Sequence, residues 1–125
     1  MMSRIVDATL DRAAFQDLIS KNMDGVLVFK LGADWCGPCK KSRPLVHSLA
    51  EKMPQNVAVV DVDVDESFDL YAWLKTRKQV NGIPALLAYY PGNETFASDY
   101  SATGGDETVI NNFFTEVHRA ALTIK

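Results

Sequence analysis

Only two of the 125 residues are cysteine. Two thiols cannot build the disulfide framework that holds small secreted scaffolds together, so the chain must fold on an apolar core. Histidine is as scarce, with His47 and His118 alone, which leaves little for a metal centre. No run approaches the ~18 consecutive apolar positions of a membrane span. The opening residues, Met1-Met2-Ser3-Arg4-Ile5-Val6-Asp7, lack the apolar stretch of a secretory signal. Positive charge is not in excess. Thirteen Lys and Arg stand against 16 Asp and Glu, a formal charge of −3, which argues against nucleic acid and anionic membranes as main partners. Linkers, internal repeats and low-complexity tracts are missing, so residues 1–125 read as one domain. At 47% hydrophobic and 23% charged residues, the composition is that of a soluble globular protein. Together these features point to a reducing compartment, with the cytoplasm as the expectation.

Both cysteines fall in one hexapeptide, Trp35-Cys36-Gly37-Pro38-Cys39-Lys40, between an apolar run, Val26-Leu27-Val28-Phe29, and a helix-compatible segment. Three chemistries compete for the pair. A structural disulfide closing so short a loop removes only about 2 kcal/mol of denatured-state entropy, against roughly 4.7 for a 100-residue loop, and a reducing compartment would open it. Zinc needs two further ligands. His47 follows Cys39 by eight residues on the same helix. That is roughly 12 Å along the axis at ~1.5 Å per residue, too far to share one ion. A redox dithiol at the start of a helix fits best, because unpaired backbone N–H groups and the positive helix end favour a thiolate there. Cys36 precedes the helix and is the exposed attacking thiol. Cys39, one turn in and more buried, is the resolving thiol. Gly37 permits the tight turn, and Pro38 at the first helical position forfeits no needed donor.

Coarse elements alternate along the chain. Residues 5–6 form a short strand and 11–21 a helix with Ala14, Phe15 and Leu18 inward and Asp11 in its first turn. Residues 26–31 are a nearly unbroken apolar run, interrupted by Lys30, that suits a strand buried on both faces. A helix over 38–53 carries Leu45, Val46, Leu49 and Met53, with Pro44 inside it. A strand over 57–64 puts Ala58, Val60, Val62 and Val64 on one face and Asp61 and Asp63 on the other. A helix over 68–78 has Ser67 as N-cap. A strand over 85–90 turns at Pro91-Gly92-Asn93-Glu94 and pairs with 96–100. Gly104-Gly105 precedes a last helix over 107–121. His47 and His118 read as solvated helix residues, Asp63, Asp65 and Glu66 as strand-end and cap acids, and Trp73 as packing.

The hexapeptide, with Ile83-Pro84 far downstream, resembles the thioredoxin family. The resemblance implies an α/β thioredoxin fold, a five-stranded mixed sheet with helices on both faces. It implies a protein disulfide reductase that needs no bound cofactor or metal, acts as a monomer on disulfide-containing proteins, and is recycled by an external thioredoxin reductase of unread type. It makes Trp35, Ile83 and a cis Pro84 the substrate face, and Gly37-Pro38 a mark of the reducing branch. Three departures stand out. Lys30 occupies the place of the family's buried Asp, and Asp61 the place where some members carry a Lys. The two are therefore expected to meet as an inverted pair, beneath Cys39, and to tune its reactivity. Residues 65–84 run about one helical turn longer than usual. The usual glycine after the last strand has no clean counterpart, with residues 101–105 carrying an insertion. The alternative function is a binding or assembly subunit whose redox chemistry is incidental, supported only by those last two departures.

Overall fold

The computed structural model describes residues 5–124; the leader reading of residues 1–4 lies outside them. Nine elements follow in the order β1 (Ile5–Asp7), α1 (Arg12–Lys21), β2 (Val26–Gly32), α2 (Gly37–Glu51), β3 (Val57–Asp63), α3 (Phe68–Thr76), β4 (Ala85–Tyr89), β5 (Tyr100–Thr103) and α4 (Glu107–Thr123). They build one sheet in the order β1-β3-β2-β4-β5, with β1, β3 and β2 parallel and β4 and β5 antiparallel. The central β2 is buried along its whole length, Lys30 included, as expected of a largely apolar strand covered on both faces.

Alternation along β2 separates two apolar layers. Leu27, Phe29 and Leu31 face α1 and α3, where Phe15, Ile19, Leu70 and Leu74 pack. Val26 and Val28 face α2 and α4, where Val46, Ala50, Ile110, Phe113, Phe114 and Val117 pack. The helices therefore lie on both faces of a mixed sheet, as expected. Lys30 shares the α2 and α4 face and is only 1% exposed.

Several local expectations need correction. The buried stripe of α1 is Phe15 and Ile19, while Ala14 and Leu18 are half-buried. Asp11 is the N-cap of α1, its carboxylate accepting from Ala14 N at 2.8 Å, rather than a first-turn residue. In β3 the face opposite Val60 and Val62 is also buried, through Val57 and Val59, and Ala58 is exposed. Ser67 precedes α3 but makes no side-chain cap; its hydroxyl accepts from Leu10 N at 2.8 Å, tying the start of α3 to the segment before α1. α3 ends at Thr76, followed by Lys78 at φ 61°.

The second arm of the late hairpin is Tyr100–Thr103, not 96–100. Residues 93–99 are held as a loop by their own polar groups. Asn93 donates to Ala97 O and to Asp99 at 2.9 Å each, and Asp99 accepts from Tyr90 N at 2.8 Å. Phe96 leaves the sheet to pack on Trp73, ring centres 5.5 Å apart. The stretch read as an inserted loop at 101–105 is thus mostly β5 itself.

Candidate active site

The site forms where β2 gives way to α2. Cys36 and Cys39 are disulfide-bonded, with Cα atoms 5.2 Å apart. Cys36 is the N-cap of α2, and its sulfur accepts from Cys39 N at 3.2 Å. A sulfur in that position meets the orphan donors of the helix and the positive end of its dipole, the arrangement that stabilises a thiolate once the bond opens. Pro38 falls in the first turn, where its missing N–H costs nothing. Only the outer edge of Cys36 reaches solvent, at 6%, while Cys39 is closed off at 0%. Cys36 is thus less open than the sequence suggests, yet it remains the outer sulfur of the two.

Two chain segments frame the disulfide. The Ile83–Pro84 peptide bond is cis, and the Ile83 carbonyl oxygen lies 4.0 Å from Cys36 Sγ. Gly104 N donates to Pro84 O at 2.8 Å, and a Cβ on Gly105 would stand 3.1 Å from Pro38 O. Two glycines, Gly104 and Gly105, thus follow β5 directly and reach the site. Trp35 is 67% exposed, and its indole N–H donates to Asp65 at 2.8 Å. Beside it, Val64, Phe68 and Tyr71 line a largely apolar groove of about 450 Å³.

On the other side of α2, the register pairs Lys30 with Asp61 across β2 and β3. Lys30 Nζ lies 3.3 Å from Asp61 Oδ1, so the two expected partners meet. They sit beneath Cys39: a Cβ on Gly32 would be 3.4 Å from Cys39 Sγ and 3.7 Å from Lys30 Nζ. His47, read as a solvated helix residue, belongs to the same cluster, with Nε2 3.9 Å from Asp61 Oδ2. Its spacing offers a signal: Cys39, Arg43 and His47 recur every four residues and so share one helix face. Asp65 as the partner of Trp35 carries no such signal, because the contact is made between segments 30 residues apart. Among the described residues no group of three or more His, Cys, Asp or Glu is placed to hold a metal ion, and no helix is long and apolar enough to cross a membrane.

The thioredoxin family model matches residues 6–116. The thioredoxin of Callithrix jacchus is 44% identical over 102 residues, covering 80% of this chain and 90% of that protein. The thioredoxin of Oryctolagus cuniculus is 41% identical over 61 residues, 49% of this chain; there the chain spans little more than half, 57%, of its relative. The structure of Trichomonas vaginalis thioredoxin superposes with a TM-score of 0.74 at 24% identity, covering 92% of this chain and 98% of that one. The chain belongs to the thioredoxin family. That membership and the bonded Cys36–Cys39 pair support dithiol–disulfide exchange as its chemistry.

Proposed function

We propose that this protein reduces disulfide bonds of other proteins. The observation that carries the reading is the asymmetry of the sulfur pair: Cys36 caps α2 at the surface, and Cys39 lies wholly buried one turn behind it. In this reading the Cys36 thiolate attacks a substrate disulfide and is joined to one substrate sulfur, releasing the other as a thiolate. Cys39, deprotonated, then attacks Cys36 Sγ. The Cys36–Cys39 bond forms, the bond to substrate breaks, and the second substrate thiolate leaves. Two electrons have passed to the substrate, and an external thioredoxin reductase returns them, so the protein carries electrons between proteins without a bound cofactor.

Trp35, Ile83 and Pro84 would form the face on which substrate chain lies, the free backbone beside Pro84 pairing with it as an added strand. Gly37 and Pro38 keep the loop tight, and Lys30 with Asp61 tunes Cys39. Residues 1–125 act as a single monomeric domain in the cytoplasm. The rival reading as an assembly subunit loses its support from residues 101–105, since most of that stretch is a sheet strand. An insulin-reduction assay separates the two. Turnover by the wild type and none by a Cys36→Ser/Cys39→Ser variant is expected. Equal rates for both proteins would refute the reductase reading.

A further inference from the structure

The cleft between α2 and the sheet has a volume of about 470 Å³, and the Lys30–Asp61 pair lies in its wall. Arg43 and His47 project into it from α2. The His47 ring is tethered on a half-exposed side chain, yet its Nε2 atom is shut off from solvent and has no hydrogen-bond partner. A buried polar nitrogen left in that state costs free energy, so its position needs an account. The oxygen it faces is Asp61 Oδ2 at 3.9 Å, while Oδ1 of the same carboxylate accepts from Lys30 Nζ at 3.3 Å. Lys30 Nζ and Cys39 Sγ converge in turn on Gly32. The groups thus run in series from a surface imidazole to the buried sulfur.

We propose that His47 is a positioning residue that controls whether Asp61 can receive the Cys39 proton, and so makes the second step of exchange respond to pH between about 5 and 8. This rests on the reductase reading above. In that step the Cys39 thiol, which lies behind Gly32 in the cleft wall, loses its proton to Asp61 through water in the cleft, which has room for it at about 30 Å³ per molecule. The electron pair left on Cys39 forms the bond to Cys36 Sγ, and the pair of the Cys36–substrate bond leaves on the substrate sulfur. Asp61 then passes the proton through the cleft to solvent. A neutral imidazole leaves Oδ2 open to do this. An imidazolium donates Nε2–H to Oδ2, and the carboxylate is then held between two cations.

The surrounding charges do not supply the same response. Asp7 on β1, Asp63 on β3, and Asp34 and Glu66 from the loops also line the cleft, with Lys30 from β2 and Arg43 from α2. Arg43 is paired with Asp34 at 3.4 Å, and Asp63 Oδ1 accepts from Asp65 N at 2.8 Å. Of these side-chain types only imidazole ordinarily changes charge between pH 5 and 8.

The test is single-turnover reduction of a disulfide-bonded peptide from pH 5 to 8.5, separating mixed-disulfide formation from release of the second peptide thiol. Release by the wild type should slow by about 3- to 10-fold more than formation does on going from pH 8 to pH 5.5. His47→Gln, which cannot charge, should lose that extra fall. His47→Lys, a fixed cation, should release slowly at every pH. Formation of the mixed disulfide should be the same in all three. Release profiles unchanged in both variants would overturn the proposal while leaving the reductase reading intact. A wild type that forms no mixed disulfide at any pH would overturn both.

Discussion

Lys30 and Asp61 face each other across adjacent parallel strands, Nζ to Oδ1 3.3 Å, with the lysine side chain 2% exposed and the aspartate 19%. The asymmetry in exposure predicts an asymmetry in energy. Asp61→Leu strands an ammonium in the core and should cost about 3–5 kcal/mol. Lys30→Met leaves a carboxylate that still reaches solvent and should cost about 1–2 kcal/mol, less than a fully buried partner would. The double variant should be more stable than the sum of the two losses implies. Urea midpoints of the four proteins measure this cycle, and strictly additive losses would show that the pair is not coupled.

Ser67 makes a different kind of tie. Its hydroxyl serves Leu10 N rather than the first turn of α3, and the residue is 3% exposed. Ser67→Ala should cost about 1–3 kcal/mol, because the Leu10 N–H is left buried without an acceptor. Amide exchange distinguishes this from a lost helix cap. Faster exchange at Leu10 than at residues 69 and 70 is expected; the reverse order would restore the capping role.

A surface cluster should set part of the pH dependence of stability. Arg119 donates to Glu116 at 2.8 and 2.5 Å, and the Tyr90 hydroxyl donates to the same carboxylate at 2.8 Å. The Arg119 hydrogen bonds, then that of Tyr90, hold the Glu116 carboxyl down at about 2, against an ordinary 4.5. Burial, then the hydrogen bond to Glu116, pushes Tyr90 up to about 12 from 10.0. A lowered carboxyl stabilises the fold above its unfolded value, and that contribution fades as the pH falls from about 4.5 toward 2. A raised phenol stabilises below its unfolded value, and that contribution fades as the pH rises from about 10 toward 12. The stability gap between wild type and Glu116→Gln should therefore close as the pH falls toward 2, but narrow only in part toward pH 12, because the Arg119 hydrogen bonds persist there and burial raises Tyr90 in both proteins. A gap that stays constant in denaturant melts across that range would contradict the assignment.

The sequence made some of this legible and hid the rest for physical reasons. The apolar run at 26–31 and the Cys-Gly-Pro-Cys spacing carry local information, and β2 and the start of α2 appear where they point. The second hairpin arm lies later than the sequence pattern suggests, because Phe96 and Tyr100 look like strand residues, while the decisive contacts, Asn93 with Asp99 and Phe96 with Trp73, are made by side chains that periodicity cannot weigh. The Lys30–Asp61 contact could be anticipated because the resemblance places both residues, with charges exchanged, where some family members pair an Asp and a Lys across adjacent strands. His47 could not be placed beside them without the packing of α2 on the sheet, although its four-residue spacing from Arg43 marked the face on which it lies.

The central claim is that Cys36 attacks and Cys39 releases. It is tested most directly by incubating reduced Cys39→Ser protein with insulin and mapping the covalent adduct by mass spectrometry under non-reducing conditions. A stable mixed disulfide joining Cys36 to an insulin cysteine is predicted, because the sulfur that would release it is gone. No adduct in Cys39→Ser, together with trapping through Cys39 in Cys36→Ser, would contradict the account.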